Sequence, residues 1–345
     1  MTFKKLQKLK RGDKVAILSP SFAAPGVFSD VYALGLERLR DVFGLVPVEY
    51  PTTKKIGATA EERSLDLIAA FEDVEIKGVI ATIGGDDQVT YVKNLPRTPF
   101  ANNPKPFFGY SDNTHFMQHL FSCGAPSYYG GCILTQFAMQ GAMDAFTVDY
   151  LKKAIFENEE ITLTESKTFN DIGYDWADSK NLNKYRVYEE NDGWQWDGTG
   201  QMEGILWGGC LESIDEILRH GITLPIDEEF DEIILFTETS EEIPSADYVM
   251  RVYRALGERG ILQRMKAILV GRPKAQEYND VREFDTRVSY RKEQRDMIAE
   301  VVRRYNKTCP IIQNMDFGHT DPQICLPMGG EIAIDTKKKE IKVQF

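Results

Sequence analysis

A chain of 345 residues with 42% apolar and 11% aromatic side chains can bury a sizeable core and exceeds the usual size of one, so a globular protein of two domains is expected. Its 53 acidic against 41 basic side chains give a formal charge of −12, which disfavours a nucleic acid polymer or an anionic membrane surface as partner and favours a small molecule. No long apolar stretch follows the basic start KKLQKLKRGDK, so neither a signal peptide nor a membrane span is expected. The five cysteines, odd in number and without a Cys-x-x-Cys pair, fit free thiols in a reduced, cytoplasmic compartment.

The first half alternates apolar runs with helical patterns. KVAILS (14–19) reads as a buried strand, and Ser29 as the cap of a helix to Phe43 that buries Val31, Leu34, Leu39 and Val42 and stops at Gly44. GLVPVEY is the second strand. Thr59 and Glu62 have capping-box spacing and open a helix carrying Leu65, Ile68, Ala69 and Phe71; GVIATIGG is the third strand. A helix around Val89 to Asn94, the strand KPFFGY, a helix from about Asn113 and the run APSYYGG follow. Strands separated by helices imply parallel pairing, an open α/β sheet and a ligand crevice beyond the carboxyl ends of the strands.

We place a first domain at 1–165, a linker and long aromatic loop at 166–200, and a second domain at 201–345. In the second domain EGILWGG, EIILFTE and MKAILVG are strands, SADYVMRVYRALGERG and YRKEQRDMIAEVVRRY are helices, and EIAIDTKKKEIKV is a terminal hairpin.

FFGYSDNTHF sets Ser111 on a strand-to-helix corner. Such a corner projects Oγ into a crevice and leaves the amide of Asp112 free at a helix start, as an activated serine nucleophile needs; a plain helix cap has the same pattern. Gly-Tyr-Ser-Asp-Asn departs from Gly-x-Ser-x-Gly because Asn113 replaces the last glycine. The chain has four histidines. His115 and His119 have the i,i+4 spacing of metal ligands but lack the His-Glu-x-x-His glutamate, and a metal-dependent hydrolase using them with Asp112 is one rival reading. His220 ends a helix, where an imidazolium complements the dipole. His319 stands in a Gly- and Pro-punctuated loop, a context that suits a base. Glu238, ending IILFTE, is a carboxylate able to orient an imidazole, whereas Glu241 and Glu242 read as solvated loop charges. Gly84-Gly85 allows close backbone approach to a substrate, or is a tight turn.

Together GVIATIGGDD, FFGYSDNT, YYGG, EGILWGGCLES, ILFTETSEE and MDFGHTDPQICLPMGG resemble the LD-carboxypeptidase family of serine peptidases, which includes muramoyltetrapeptide carboxypeptidases and microcin C immunity proteins. The resemblance spans nearly the whole chain. It implies a Rossmann-like N-terminal domain with an open parallel sheet, a C-terminal mixed α/β domain and an active site between them. It also implies a homodimer, a Ser111–Glu238–His319 triad, an oxyanion hole from the amides of Gly85 and Asp112, and no metal or organic cofactor. Two substrate classes follow from it, a murein tetrapeptide losing its terminal D-alanine or an aminoacyl-nucleotide analogue. The length and the Trp-bearing insertion favour the second, with Trp176 expected to stack on the base and Gly84 to lie against the substrate; Trp194 and Trp196 read as packing residues. The remaining rival is a cleft-binding protein without chemistry.

Overall fold

The computed structural model describes residues 1–345. Along the first half run β1 (Lys14–Leu18), α1 (Ser29–Phe43), β2 (Val46–Glu49), α2 (Ala60–Glu72), β3 (Ile76–Ala81), α3 (Arg97–Asn102), β4 (Phe107–Gly109), α4 (Thr114–Ser122), β5 (Ser127–Tyr129) and α5 (Ala145–Phe156). Then come β6 (Glu160–Thr162), β7 (Thr168–Phe169), β8 (Glu189–Glu190), β9 (Gln195–Asp197), β10 (Gln201–Cys210), α6 (Leu211–His220), β11 (Ile233–Glu238), α7 (Ala246–Glu258) and α8 (Ile261–Arg264). The chain ends with β12 (Ile268–Gly271), α9 (Phe284–Tyr305), β13 (Ile311–Met315), β14 (Leu326–Met328), β15 (Glu331–Asp335) and β16 (Glu340–Gln344).

Two sheets carry the fold. The first has the order β14-β5-β4-β3-β1-β2, parallel except for β14, and the order reverses between β1 and β3. The second has the order β6-β16-β15-β10-β11-β12-β13-β9, with a parallel centre from β10 to β13 and antiparallel margins. Each sheet borrows a strand across the middle of the sequence, since β6 joins the second and β14 the first. Strands buried on both faces read as continuous apolar runs, and β11 is buried at every position. One hydrophobic core runs through both sheets. No helix is long and apolar enough to cross a membrane.

Local signals worked where the interaction is local. Thr59 accepts from the amide of Glu62, whose carboxylate accepts from the amide of Thr59, the full capping box. Gly44 ends α1 in the left-handed conformation at φ 70. Other expectations need correction. Phe28, not Ser29, caps α1, and no side chain supplies the cap. The buried face of α1 is Val31, Tyr32, Gly35, Leu36, Leu39 and Phe43, so Leu34 and Val42 sit at its margin. A β-carbon on Gly35 would lie 2.5 Å from the Ile133 carbonyl oxygen, and that close approach centres the face. In α2, Leu65 is 57% exposed while Leu67, Ala70 and Phe71 are buried. The stretch read as a helix at 89–94 is two short 3₁₀ turns, Gln88–Thr90 and Val92–Asn94. Its opening amides are claimed by a side chain of the serine corner, which holds the segment as a loop.

Candidate active site

The carboxyl ends of the parallel strands in both sheets supply the site, as sheet topology requires. Ser111 follows β4 with φ 64, left-handed and unfavourable for a residue with a side chain by about 1–3 kcal/mol. That corner lifts the hydroxyl off the sheet edge before α4 begins. The Gly84-Gly85 turn after β3 packs on it: a β-carbon at Gly84 would come 2.8 Å from Ser111 Cβ, 2.9 Å from its Oγ and 3.3 Å from the Asp112 amide.

Asp112 and Asn113 hold the two loops together. Buried Asp112 accepts from the amides of Gln88 (3.1 Å) and Asp87 (3.3 Å), and burial raises its pKa against the opposing pull of His115 and these donors. Asn113 donates to the carbonyls of Tyr110 (2.9 Å) and Ile83 (3.1 Å) and accepts from Gln88 Nε2 (2.9 Å). Hence the departure from Gly-x-Ser-x-Gly has a structural function: the asparagine clamps the β3 loop, and Gly109 leaves room for it, a β-carbon there falling 3.0 Å from Asn113 Cβ.

A chain of hydrogen bonds runs from this corner into the second sheet. The Ser111 amide donates to the Tyr129 hydroxyl at 3.3 Å, Tyr129 donates to Glu238 Oε1, and Glu238 Oε2 accepts from His319 Nδ1 at 2.7 Å. Glu238 is 1% exposed. Two glycines make room for it: a β-carbon at Gly271 would lie 2.7 Å from Glu238 Cβ, and one at Gly318 (φ 94) would strike its carboxyl group. The histidine loop is anchored by Asp316, fully buried, which accepts from the Trp194 indole (2.9 Å) and the Ser166 amide (3.0 Å) and pairs with Arg272 at 2.5 Å. Gln323 donates to the Gly318 carbonyl.

The far nitrogen of the imidazole is also occupied. His319 Nε2 faces Glu241 Oε2 at 3.0 Å; Glu241 is exposed, as expected of its loop, and is in addition paired with the imidazole. Burial opposes a charged imidazole here, but Glu238 and then Glu241 outweigh it and push the His319 pKa up to about 10. The groups facing this ring are Glu238 from β11, Glu241 from the loop after it, and Tyr110 from the end of β4, its ring 5.0 Å away. A base must be neutral to accept a proton, and the neutral fraction grows as pH rises toward the raised pKa. We therefore expect kcat/KM, which reports the free enzyme, to climb with pH between about pH 7 and pH 9. A flat profile there would mean that the resting imidazole is neutral.

The other histidines have structural partners. His115 Nε2 lies 3.1 Å from Glu216 and 3.6 Å from Asp112, and buried His119 packs against Phe100 and Phe116. His220 differs from expectation: its Nδ1 accepts from the Ile222 amide at 3.1 Å just beyond α6, burial lowers its pKa, and Gly221 caps the helix. Trp194 and Trp196 stay outside the cavity, in packing contact with each other.

Ser111, His319, Gly84, Gly85 and Glu241 line one cavity of about 480 Å³, a size suited to a small ligand. Trp176 lines it too, edge-on to Phe28 with ring centroids 5.4 Å apart. The cavity's two cations are committed to protein carboxylates, Arg186 to Asp321 at 2.5 Å and Lys274 to Glu277. Of its other carboxylates, Asp171 pairs with Arg291, which leaves Glu241 and Asp175 without a Lys or Arg partner.

The N-terminal domain of the LD-carboxypeptidase family matches residues 15–130 and its C-terminal domain residues 203–334. The chain belongs to the LD-carboxypeptidase family. It is accordingly a serine peptidase. Among curated relatives, the microcin C7 self-immunity protein MccF of Escherichia coli is 25% identical over 96% of this family member and 93% of its own length. Among solved structures, an MccF-like protein from Streptococcus pneumoniae in complex with AMP has 26% identity and a TM-score of 0.85, covering 97% of this chain and 99% of that one. MccF in complex with aspartyl sulfamoyl adenosine matches at 23% identity and a TM-score of 0.85, covering 99% of this chain and 98% of that one. The likeness at this identity shows the α/β fold with its two sheets.

Tyr129 and Glu241 are the functional candidates that sequence reasoning missed. Tyr129 had a usable signal: SYYGG ends a strand on the same sheet edge as Ser111. Glu241 had none, because its partner lies far away in the sequence.

Proposed function

We propose that this family member hydrolyses the amide-type bond between an aminoacyl group and a nucleotide-like moiety, with Ser111 as nucleophile, His319 as base and Glu238 as the carboxylate that orients it. The observation that carries this reading is the shared cavity, which the paired rings of Trp176 and Phe28 line together with Ser111 and His319. His319 Nε2 takes the Ser111 proton as Oγ bonds to the carbonyl carbon, and the oxyanion falls to the amides of Gly85 and Asp112. The imidazolium passes its proton to the leaving nitrogen as the C–N bond breaks; water, deprotonated by the same ring, then releases the acyl group from Ser111. Glu238 remains a carboxylate throughout. A cytoplasmic homodimer is part of the same proposal.

The alternative, removal of a terminal D-alanine from a murein tetrapeptide, presents a free carboxylate to the enzyme. The aromatic pair Trp176 and Phe28 gives this cavity a stacking surface that a base can use and a tetrapeptide does not need, which supports the nucleotide reading over it. A side-by-side turnover assay of a murein tetrapeptide and an aminoacyl sulfamoyl adenosine decides between them, and preference for the tetrapeptide reverses our ranking. Within the favoured reading, stacking of a base on Trp176 contributes about 1–3 kcal/mol. Trp176→Ala is therefore expected to weaken AMP binding at least severalfold by calorimetry while leaving ribose 5-phosphate binding unchanged. Equal losses for both ligands would assign the indole to packing.

A further inference from the structure

We infer that Glu241 is a specificity-determining residue, whose carboxylate receives the free α-ammonium group of the aminoacyl substrate and in doing so uncovers Nε2 of His319. The inference rests on the reading above and adds what the acyl half must carry.

Three observations support it. Glu241 Oε2 lies 3.0 Å from the ring nitrogen that the mechanism assigns to the serine proton, so the resting arrangement covers the base. Apart from that with His319, Glu241 makes no ion pair in the cavity: Arg186 and Lys274 pair directly with Asp321 and Glu277, and Lys274 acts on Glu241 only at longer range. The cavity therefore has at its reacting end an anion whose ion-pair partner is the imidazole itself, and its Lys and Arg cations are held by other carboxylates. Finally, the side chain of Glu241 is 56% exposed, while those of Glu238 and His319 are 0% and 8% exposed, so among the imidazole's two carboxylates Glu241 is the one free to move.

The α-nitrogen of an aminoacyl group is bonded to the atom next to the scissile carbonyl. A substrate whose carbonyl carbon meets Ser111 thus carries its ammonium into the neighbourhood of Nε2, where Glu241 stands. Exchanging an imidazolium partner for an ammonium partner keeps the carboxylate paired, as a charge in a partly enclosed site requires. It also withdraws one of the two anions that hold the ring protonated, so the imidazole releases its proton to solvent and Nε2 is free to accept from Ser111. An Nα-acylated substrate lacks the cation and leaves the cover in place. Preference for a free amine and activation of the base are then one event.

The test uses alanyl sulfamoyl adenosine, whose side chain is uncharged, and its Nα-acetyl derivative. We expect the wild-type protein to favour the free amine by at least about tenfold in kcat/KM and Glu241→Gln to reduce that preference below about threefold, the loss falling on the free-amine substrate. Calorimetry of both ligands on Ser111→Ala reports the same preference without turnover. Equal use of both ligands by the wild-type protein, or a preference that survives Glu241→Gln, overturns the role of Glu241 and leaves the hydrolase reading intact. Failure of the wild-type protein to turn over either ligand and of Ser111→Ala to bind either overturns both.

Discussion

Replacing Ser111 with alanine is expected to lower kcat by ~10⁶, because the proposed mechanism leaves no second group able to form the acyl intermediate. The substitution should leave the fold in place. Alanine meets the same left-handed backbone penalty as serine at φ 64, and it retains the Cβ that packs against Gly84. The amide that donates to Tyr129 is a backbone group and is unaffected. Single-turnover kinetics with an aminoacyl sulfamoyl adenosine, combined with mass spectrometry of the quenched protein, separates loss of acylation from loss of binding. Residual turnover within tenfold of the parent would remove Ser111 from the chemistry; it would not make the residue a helix cap, because its side chain makes no capping hydrogen bond.

Glu238→Gln is expected to cost ~10⁴ in kcat with the site otherwise assembled. Glutamine has nearly the same shape, so the contacts with Gly271 and Gly318 persist. What changes is the proton inventory. Glu238 accepts from both Tyr129 and His319, which needs two acceptor oxygens. An amide has one oxygen and one NH₂, so either His319 is turned to the wrong tautomer or Tyr129 loses its acceptor, and in both cases the imidazolium loses a compensating charge. Glu238→Ala acts differently. It removes one partner of a buried ion pair and costs about 3–5 kcal/mol of stability, so it should lower Tm as well as activity. Activity of Glu238→Gln within tenfold of the parent, at unchanged Tm, would show that the carboxylate only fills space.

Cooperation between these residues also bears on the pH behaviour. Two carboxylates flank His319 in the resting site and favour its charged form, one fixed in β11 and one on the loop that follows it. If substrate lifts Glu241 away, the acid limb of kcat, which reports the bound enzyme, lies at lower pH than that of kcat/KM. Coincident limbs would mean that both carboxylates stay on the ring throughout turnover.

Much of this protein is written in short-range patterns. The apolar runs that became β1, β3, β4 and β11, the reciprocal cap at Thr59 and Glu62, and the stop at Gly44 each depend on residues within a few positions of one another, so periodicity and capping chemistry were sufficient. The positions of Ser111 and Glu238 at strand ends were legible for the same reason. Helix faces were read less well. In α2 the core position belongs to Leu67 and not to Leu65, because amphipathic spacing in a short helix tolerates a rotated face and only the neighbouring elements choose it. The network joining Ser111, Tyr129, Glu238 and His319 was decided by tertiary structure alone. It requires that β4 and β5 lie side by side and that the second sheet present β11 to their ends, and a hydrogen bond between residues more than a hundred positions apart has no local signature. The same holds for Glu241: its sequence neighbours are those of a solvated loop acid, and only the return of the 316–323 loop sets an imidazole against it.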